Sequence, residues 1–168
     1  SWTDKKGDNI LFRNDLKSTF KNQKISTSIS VALFNLTLKA RTPIFDENKN
    51  FLGALEVITH FDSIAEDLKR NSVDSLVVTD KKYKDVLKYP INNTFINDYY
   101  VANANANSEL IDYVKSNNVE KYINISDYII EGNYLISKYN LYNKDDENLA
   151  YILNFVKIKD IDLQIVKS

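Results

Sequence analysis

The sequence predicts an α+β fold of antiparallel sheets with flanking helices, arranged as two modules. Three observations point there. β-rich runs at Ser28 to Phe45 and Phe51 to Phe61 flank the polar segment Asp46-Glu-Asn-Lys-Asn50, which reads as a hairpin loop. Helical spacing of apolar residues appears in only two short stretches, at about 62–70 and 108–116. A second pair of long strands, Tyr128 to Leu141 and Leu149 to Ile158, closes the chain. A meander thus ends each half, the pattern of two related α+β units of uneven size.

Glycine and proline are scarce, three and two in 168 residues, so turns have to be read from Asn and Asp clusters. After the first hairpin, Asp62-Ser63 reads as an N-cap. Ile64, Ala65 and Leu68 follow at helical spacing, and Lys69-Arg70 supply the basic last turn that a helix dipole favours. Leu76-Val-Val-Thr79 reads as a buried strand closed by the Asp80-Lys-Lys turn, with Asp98 to Ala104 as another strand of the same sheet. Ser108 caps a helix to Ser116 whose Leu110, Ile111 and Val114 share a face. Gly132-Asn133 makes a tight turn and Asn143 to Asn148 forms the last loop. The division this implies is 1–61 for the first module and 62–168 for the second.

Composition narrows the function. With 43% hydrophobic and 27% charged residues the chain has the balance of a folded protein. A net charge of −1, with no basic stripe interleaved with aromatics, gives no footprint for nucleic acid. Apolar runs such as Ile29 to Leu38 are far too short to cross a bilayer, and nothing at the N-terminus has the order of a signal peptide. Cysteine is absent, which removes disulfides, thiolate nucleophiles and most zinc sites. The abundance of Lys, Asn, Ile and Tyr reads as the bias of an AT-rich bacterial genome, and the sequons at Asn35, Asn92 and Asn124 as chance matches in an Asn-rich chain. No Gly-rich phosphate loop, nucleophile elbow or paired metal-binding His is present, so no catalytic site and no cofactor are expected. Asp46-Glu-Asn48-Lys-Asn50 mimics the start of a calcium loop, but its sixth and twelfth positions are Phe51 and Val57 where Gly and Glu are required.

The densest signal is Lys39-Ala-Arg41-Thr-Pro43-Ile-Phe45-Asp46, the loop, and Phe51-Leu-Gly53-Ala-Leu-Glu56. Two cations at alternate positions of a strand share one face. Pro43 suits an edge or a strand end, and Gly53 inside the returning strand marks a bulge or a close approach. The pattern resembles the core hairpin of the Cache superfamily, the PAS-like extracytoplasmic sensory domains of bacterial histidine kinases, chemoreceptors and diguanylate cyclases. Lys39, Arg41, Thr42, Pro43, Ile44, Asp46, Leu52 and Gly53 carry the resemblance, together with the opening Trp2 and the Arg13-x-Asp15 stretch. It is specific over 1–61 and rests on element order beyond. Two departures stand out: the family loop has Gly after its Asp where Glu47 stands here, and the long N-terminal helix and early strands are missing, so the first module is expected to be truncated.

The resemblance implies an extracytoplasmic small-molecule sensor, tethered to the membrane through segments outside this chain and able to homodimerise. Segment 157–166 would lead to one of those links. In citrate and dicarboxylate sensors of this superfamily the paired strand cations bind carboxylates. Carried over, Arg41, Lys39 and Arg13 would hold an anionic or amino-acid-like ligand, with Trp2 or Phe45 covering an apolar part. A guanidinium offers a carboxylate two parallel donors, which suits the role. The alternative is that Lys39 and Arg41 are the solvated face of a half-exposed strand. Glu56 can balance Arg41, bind an amine or sit at a dimer surface, and His60, the single histidine, reads as structural. Asp98, Tyr99, Tyr100, Asn103 and Tyr134 offer a second candidate pocket, or simply core. A cytoplasmic PAS-like interaction module without a ligand is the competing reading of the whole.

Overall fold

The computed structural model describes residues 14–161 and has the mixed α+β composition, with antiparallel sheets, that the sequence predicts. Trp2 and Arg13 lie outside the described residues. The chain forms two compact units: among the described residues, 14–28 with 38–58, and 29–37 with 59–161. The sequence placed the boundary after Phe61. The structure passes the chain between units at 28–29, 37–38 and 58–59, so that segment 29–37, with the hairpin turn at 32–35, belongs to the second unit.

The first unit opens on α1 (Asn14–Asn22), a helix that the sequence reading missed. Its buried residues are Leu16 and Thr19, and its other positions are dominated by Lys, Asn and Ser, so little apolar periodicity was there to read. The Ser28–Phe45 run is two strands, β1 (Ser26–Val31) and β2 (Leu36–Phe45), and β3 (Phe51–Thr59) returns beside β2 in the order β1-β2-β3. The loop between β2 and β3 is organised by Asp46. Its carboxylate accepts from the amides of Asn48 (2.9 Å) and Asn50 (2.7 Å) and from Asn50 Nδ2 (2.8 Å). Lys49 takes the left-handed conformation in this loop, at φ 65°.

The burial pattern of β3 slips by one residue at Gly53–Ala54. Phe51 is half-buried and Leu52 exposed, then Gly53 and Ala54 are both half-buried, and alternation resumes with Leu55 exposed and Glu56 half-buried. Strict alternation would put Phe51 and Glu56 on opposite faces. An extra residue at Gly53, whose φ of 153° suits glycine, places both on the covered face.

The second unit is built on α2 (Asp62–Arg70), β4 (Val73–Thr79), the short pair β5 (Phe95–Ile96) and β6 (Tyr99–Tyr100), α3 (Ser108–Ser116), α4 (Val119–Ile123), β7 (Tyr128–Glu131), β8 (Tyr134–Tyr142) and β9 (Asn148–Lys157). Its antiparallel sheet runs β4-β9-β8-β7. The core lies between this sheet and the helices, where Leu76, Val78, Leu153 and Phe155 meet Leu110, Val114, Val119 and Tyr122. Tyr113, Tyr122, Tyr134 and Phe155 interlock there with ring centroids 5.9–6.4 Å apart.

Three local expectations are corrected. Asp62 does not cap its own helix; Phe61 holds the cap position, and the Asp62 carboxylate accepts from the amides of Ala104 (2.6 Å) and Asn105 (3.3 Å). Asn107, not Ser108, caps α3 by accepting from Glu109 N–H. The stretch 98–104 is not a full strand of the main sheet. Tyr99–Tyr100 pairs with β5, Val101 makes a single bridge to Val78, and then the Asn103 side chain takes over. Its Oδ1 accepts from Val77 N–H at 2.8 Å and its Nδ2 donates to Ser75 C=O at 3.0 Å, so an amide side chain closes the open edge of β4.

Asn103 is 2% exposed, and removing its amide strands one donor and one acceptor of β4. Asn103→Ala is expected to lower unfolding stability by about 2–3 kcal/mol, seen as a lower urea midpoint at unchanged slope.

Candidate functional site

Alternation along β2 sends Thr37, Lys39 and Arg41 to one face, and all three are buried, at 6%, 9% and 2% exposure. The other face is apolar and open: Ile44 on β2 and Leu52, Leu55 and Val57 on β3 are all exposed. The first unit therefore covers a charged group beside Leu16 and its aromatic contacts, and leaves these apolar strand residues exposed. Arg41 Nε donates to Glu56 Oε2 at 2.6 Å, and a terminal guanidinium nitrogen donates to Ser28 Oγ at 3.1 Å. The two side chains are 1% and 17% exposed. Helix α1 lies on this same face: Thr19 Oγ1 meets Ser26 Oγ at 2.8 Å, and Phe20 packs edge-on against Phe51 at 5.3 Å.

A guanidinium this deeply covered costs several kcal/mol unless charge and hydrogen bonds compensate it. Glu56 supplies the charge, and the slip at Gly53 is what brings it round. Lys39, Arg41 and Glu56 each engage further neighbours. Chemically, the arrangement is a fork of donors beside an ammonium and a carboxylate, suited to a small anion or to a group carrying both charges.

Of the six residues that the sequence singled out, the structure brings Arg41 and Glu56 together and places Lys39 on their face. Phe45 shares that face, but it lies four residues along the strand, about 13 Å from Arg41. It packs against Phe51 at 5.9 Å and belongs to an aromatic group with Phe20 rather than to the guanidinium. Trp2 and Arg13 fall outside the described residues. Asp46, which opens the false calcium motif, has its carboxylate committed to its own loop, and those hydrogen bonds, led by Asn50, hold it below the usual carboxylate range.

The second candidate pocket resolves into structural roles. Tyr100 and Tyr134 pack in the core, Asn103 closes β4, and Asp98 pairs with Lys84. Sequence reasoning missed the polar network around them. Tyr99 OH donates to Glu120 Oε1 at 2.7 Å, Lys81 Nζ reaches the same oxygen at 2.7 Å, and Tyr151 OH donates to Asp80 Oδ2 at 3.0 Å. Burial, then the Asp80 carboxylate, pushes Tyr151 up to about 12, and burial likewise raises Tyr99 well above the ordinary phenol range. The hydrogen bond from Lys81, then that from Tyr99, holds Glu120 below the usual carboxylate range. Lys81 and Glu120 are 39 residues apart, and no local signal joins them.

No protein-family model matches the chain, and no curated protein or solved structure is significantly similar to it.

Glu56→Ala should cost about 3 kcal/mol, because it leaves a covered guanidinium short of its carboxylate, and Glu56→Gln, which keeps an acceptor, should cost less; denaturant titration distinguishes them. Glu120, Glu131, Asp98 and Glu147 are all held below the ordinary carboxylate range by the cations and phenols that hydrogen-bond to them. Groups depressed on folding stabilise above their unfolded range, so stability is expected to fall as pH drops from about 6 towards 3. Urea midpoints across that range should show the slope, and Glu120→Gln with Glu131→Gln should flatten it.

Proposed function

We propose that this chain is the small-molecule-sensing part of a bacterial transmembrane signalling receptor, extracytoplasmic in location and without catalysis of its own. The observation that carries the reading is the pair of buried cations, Lys39 and Arg41, on one face of β2 beside Glu56. A sheet of this size gains most stability from aliphatic side chains under its helix, and cations there are a cost that a ligand site explains. The Cache-like pattern at Lys39, Arg41, Thr42, Pro43, Ile44 and Asp46 supports the same reading, as does the PAS-like order of strands and helices. The ligand is a small carboxylate or amino acid, its carboxylate on Arg41 and Lys39, and any ammonium it carries on Glu56. Among the described residues no helix is long and apolar enough to cross a membrane; attachment through segments outside this chain is part of the proposal. A homodimer fits this class of receptor, since a ligand acts by preferring one of two receptor states.

The test is a thermal-shift screen of the purified domain against carboxylates and amino acids, repeated on Arg41→Ala with each shift taken from that variant's own baseline. A ligand at about 100 times its Kd should add roughly 2.7 kcal/mol of stability. A hit that Arg41→Ala abolishes is the expected result. A hit that survives moves the site elsewhere, and no hit in a folded protein favours a ligand-free interaction module.

A further inference from the structure

His60 follows the last residue of β3 and is the only histidine in the chain. Its Nδ1 lies 3.2 Å from Nδ2 of Asn35, a residue that is 3% exposed in the turn between β1 and β2. Two backbone groups fix which way the Asn35 amide points. Leu36 N–H donates to its Oδ1 at 2.8 Å, and its Nδ2 donates to the carbonyl of Ala102 at 3.3 Å. Turned round, the amide would set nitrogen against N–H and oxygen against C=O at once. Nδ2 therefore faces His60 as a donor, and Nδ1 of His60 has to accept. The ring in this arrangement is neutral and carries its hydrogen on Nε2.

Protonation would put N–H on Nδ1, opposite the N–H of Asn35. Flipping the ring would present a carbon instead. Either way the contact is lost, and Asn35 is too enclosed to recover it with water. Among the described residues no acid pairs with the ring to reward the proton, and Asp62 of α2 has its carboxylate engaged by the Ala104 and Asn105 amides. Segments 32–36 and 101–105 bring no titratable side chain, and the segment around 90 brings Lys88, a cation that would not favour a charged ring, and Tyr89, tilted against Phe34 at 6.2 Å.

The contact is one of a small set that holds the hairpin tip. The others are Tyr89 N–H to Leu33 C=O and Ile91 N–H to Phe34 C=O, both 2.9 Å, and the burial of Leu36. All these residues lie in the second unit, and Asn35 and His60 stand beside two of the three points where the chain crosses between units. We propose that His60 and Asn35 form a proton-operated latch: closed with the imidazole neutral, it anchors the hairpin tip, and on acidification it releases it. Closure is present at neutral and higher pH and is lost as the ring charges.

The test is NMR on uniformly labelled protein, in which the lone imidazole is assigned without ambiguity. At about pH 8 its nitrogen shifts should report the neutral Nε2–H tautomer. From about pH 8 to pH 5, amide exchange at Leu36, Tyr89 and Ile91, corrected for the intrinsic effect of pH, should quicken roughly tenfold, the loss of one buried hydrogen bond. His60→Gln, whose side-chain oxygen accepts at every pH, should remove that dependence. An Nδ1–H tautomer at about pH 8, exchange that ignores pH in the wild type, or the same response in His60→Gln would each overturn the latch. The tautomer measurement needs no variant, so it decides even if His60→Gln fails to fold.

Discussion

A buried guanidinium needs a carboxylate, and meeting that need organises the first unit. Arg41 is set inside by strand alternation along β2, whose neighbours on the same face are Thr37 and Lys39. With an unbroken β3, Glu56 and Phe51 could not both turn inward, and either the ion pair or the aromatic seal with Phe20 and Phe45 would be lost. The one-residue slip at Gly53 removes the conflict. Gly53 is therefore the residue on which the arrangement turns: a Cβ there would meet nothing within 4 Å, so its role is the backbone conformation and not close packing.

The second unit meets a different constraint, a shortage of glycine, and meets it with asparagine. Gly132 takes one left-handed position, and the others fall to Ser72, Asn97, Asn118 and Asp146. Asn107 and Asn118 cap α3 and α4, Asn143 accepts from Asp145 and Glu147 amides across the last loop, and Asn103 stands in for backbone along β4. An amide side chain carries a donor and an acceptor like a peptide group, so it can close an edge or a turn without forcing the chain to supply another strand. The same property lets Asn35 serve two backbone partners and still face His60.

These examples show what was legible. The loop at 46–50, β3, α2, α3 and the closing strands follow from local periodicity and polar punctuation and stand within about two residues of their predicted places, whereas the run from Ser28 to Phe45 is two strands with a turn that periodicity did not mark. The sharing of a face by Lys39 and Arg41 was legible too, because alternation is a property of the strand itself. Helix α1 was not legible, since Leu16 and Phe20 are too few apolar residues among Lys and Asn to set a period. Nor were the long-range partners: Lys81 with Glu120, Asp62 with Ala104, and Asn103 with β4 are meetings that only the completed fold arranges. The burial of the cations also needed the structure, because alternation assigns residues to a face and does not say which face is covered.

The two units consequently differ in how they hold together. The second has an aliphatic and aromatic core enclosed by sheet and helices. The first encloses charge and leaves Leu52, Leu55 and Val57 at 66%, 55% and 58% exposure. Burying apolar area yields about 25 cal/mol per Å2, and covering charge yields nothing net until it is paired. Local stability should therefore be concentrated in the second unit. Elements that respond to ligands are drawn from the less stable parts of a fold, where a few kcal/mol of binding energy can alter the balance of conformations. A charged interior fits the proposed sensing role, because it supplies groups that an anion can engage.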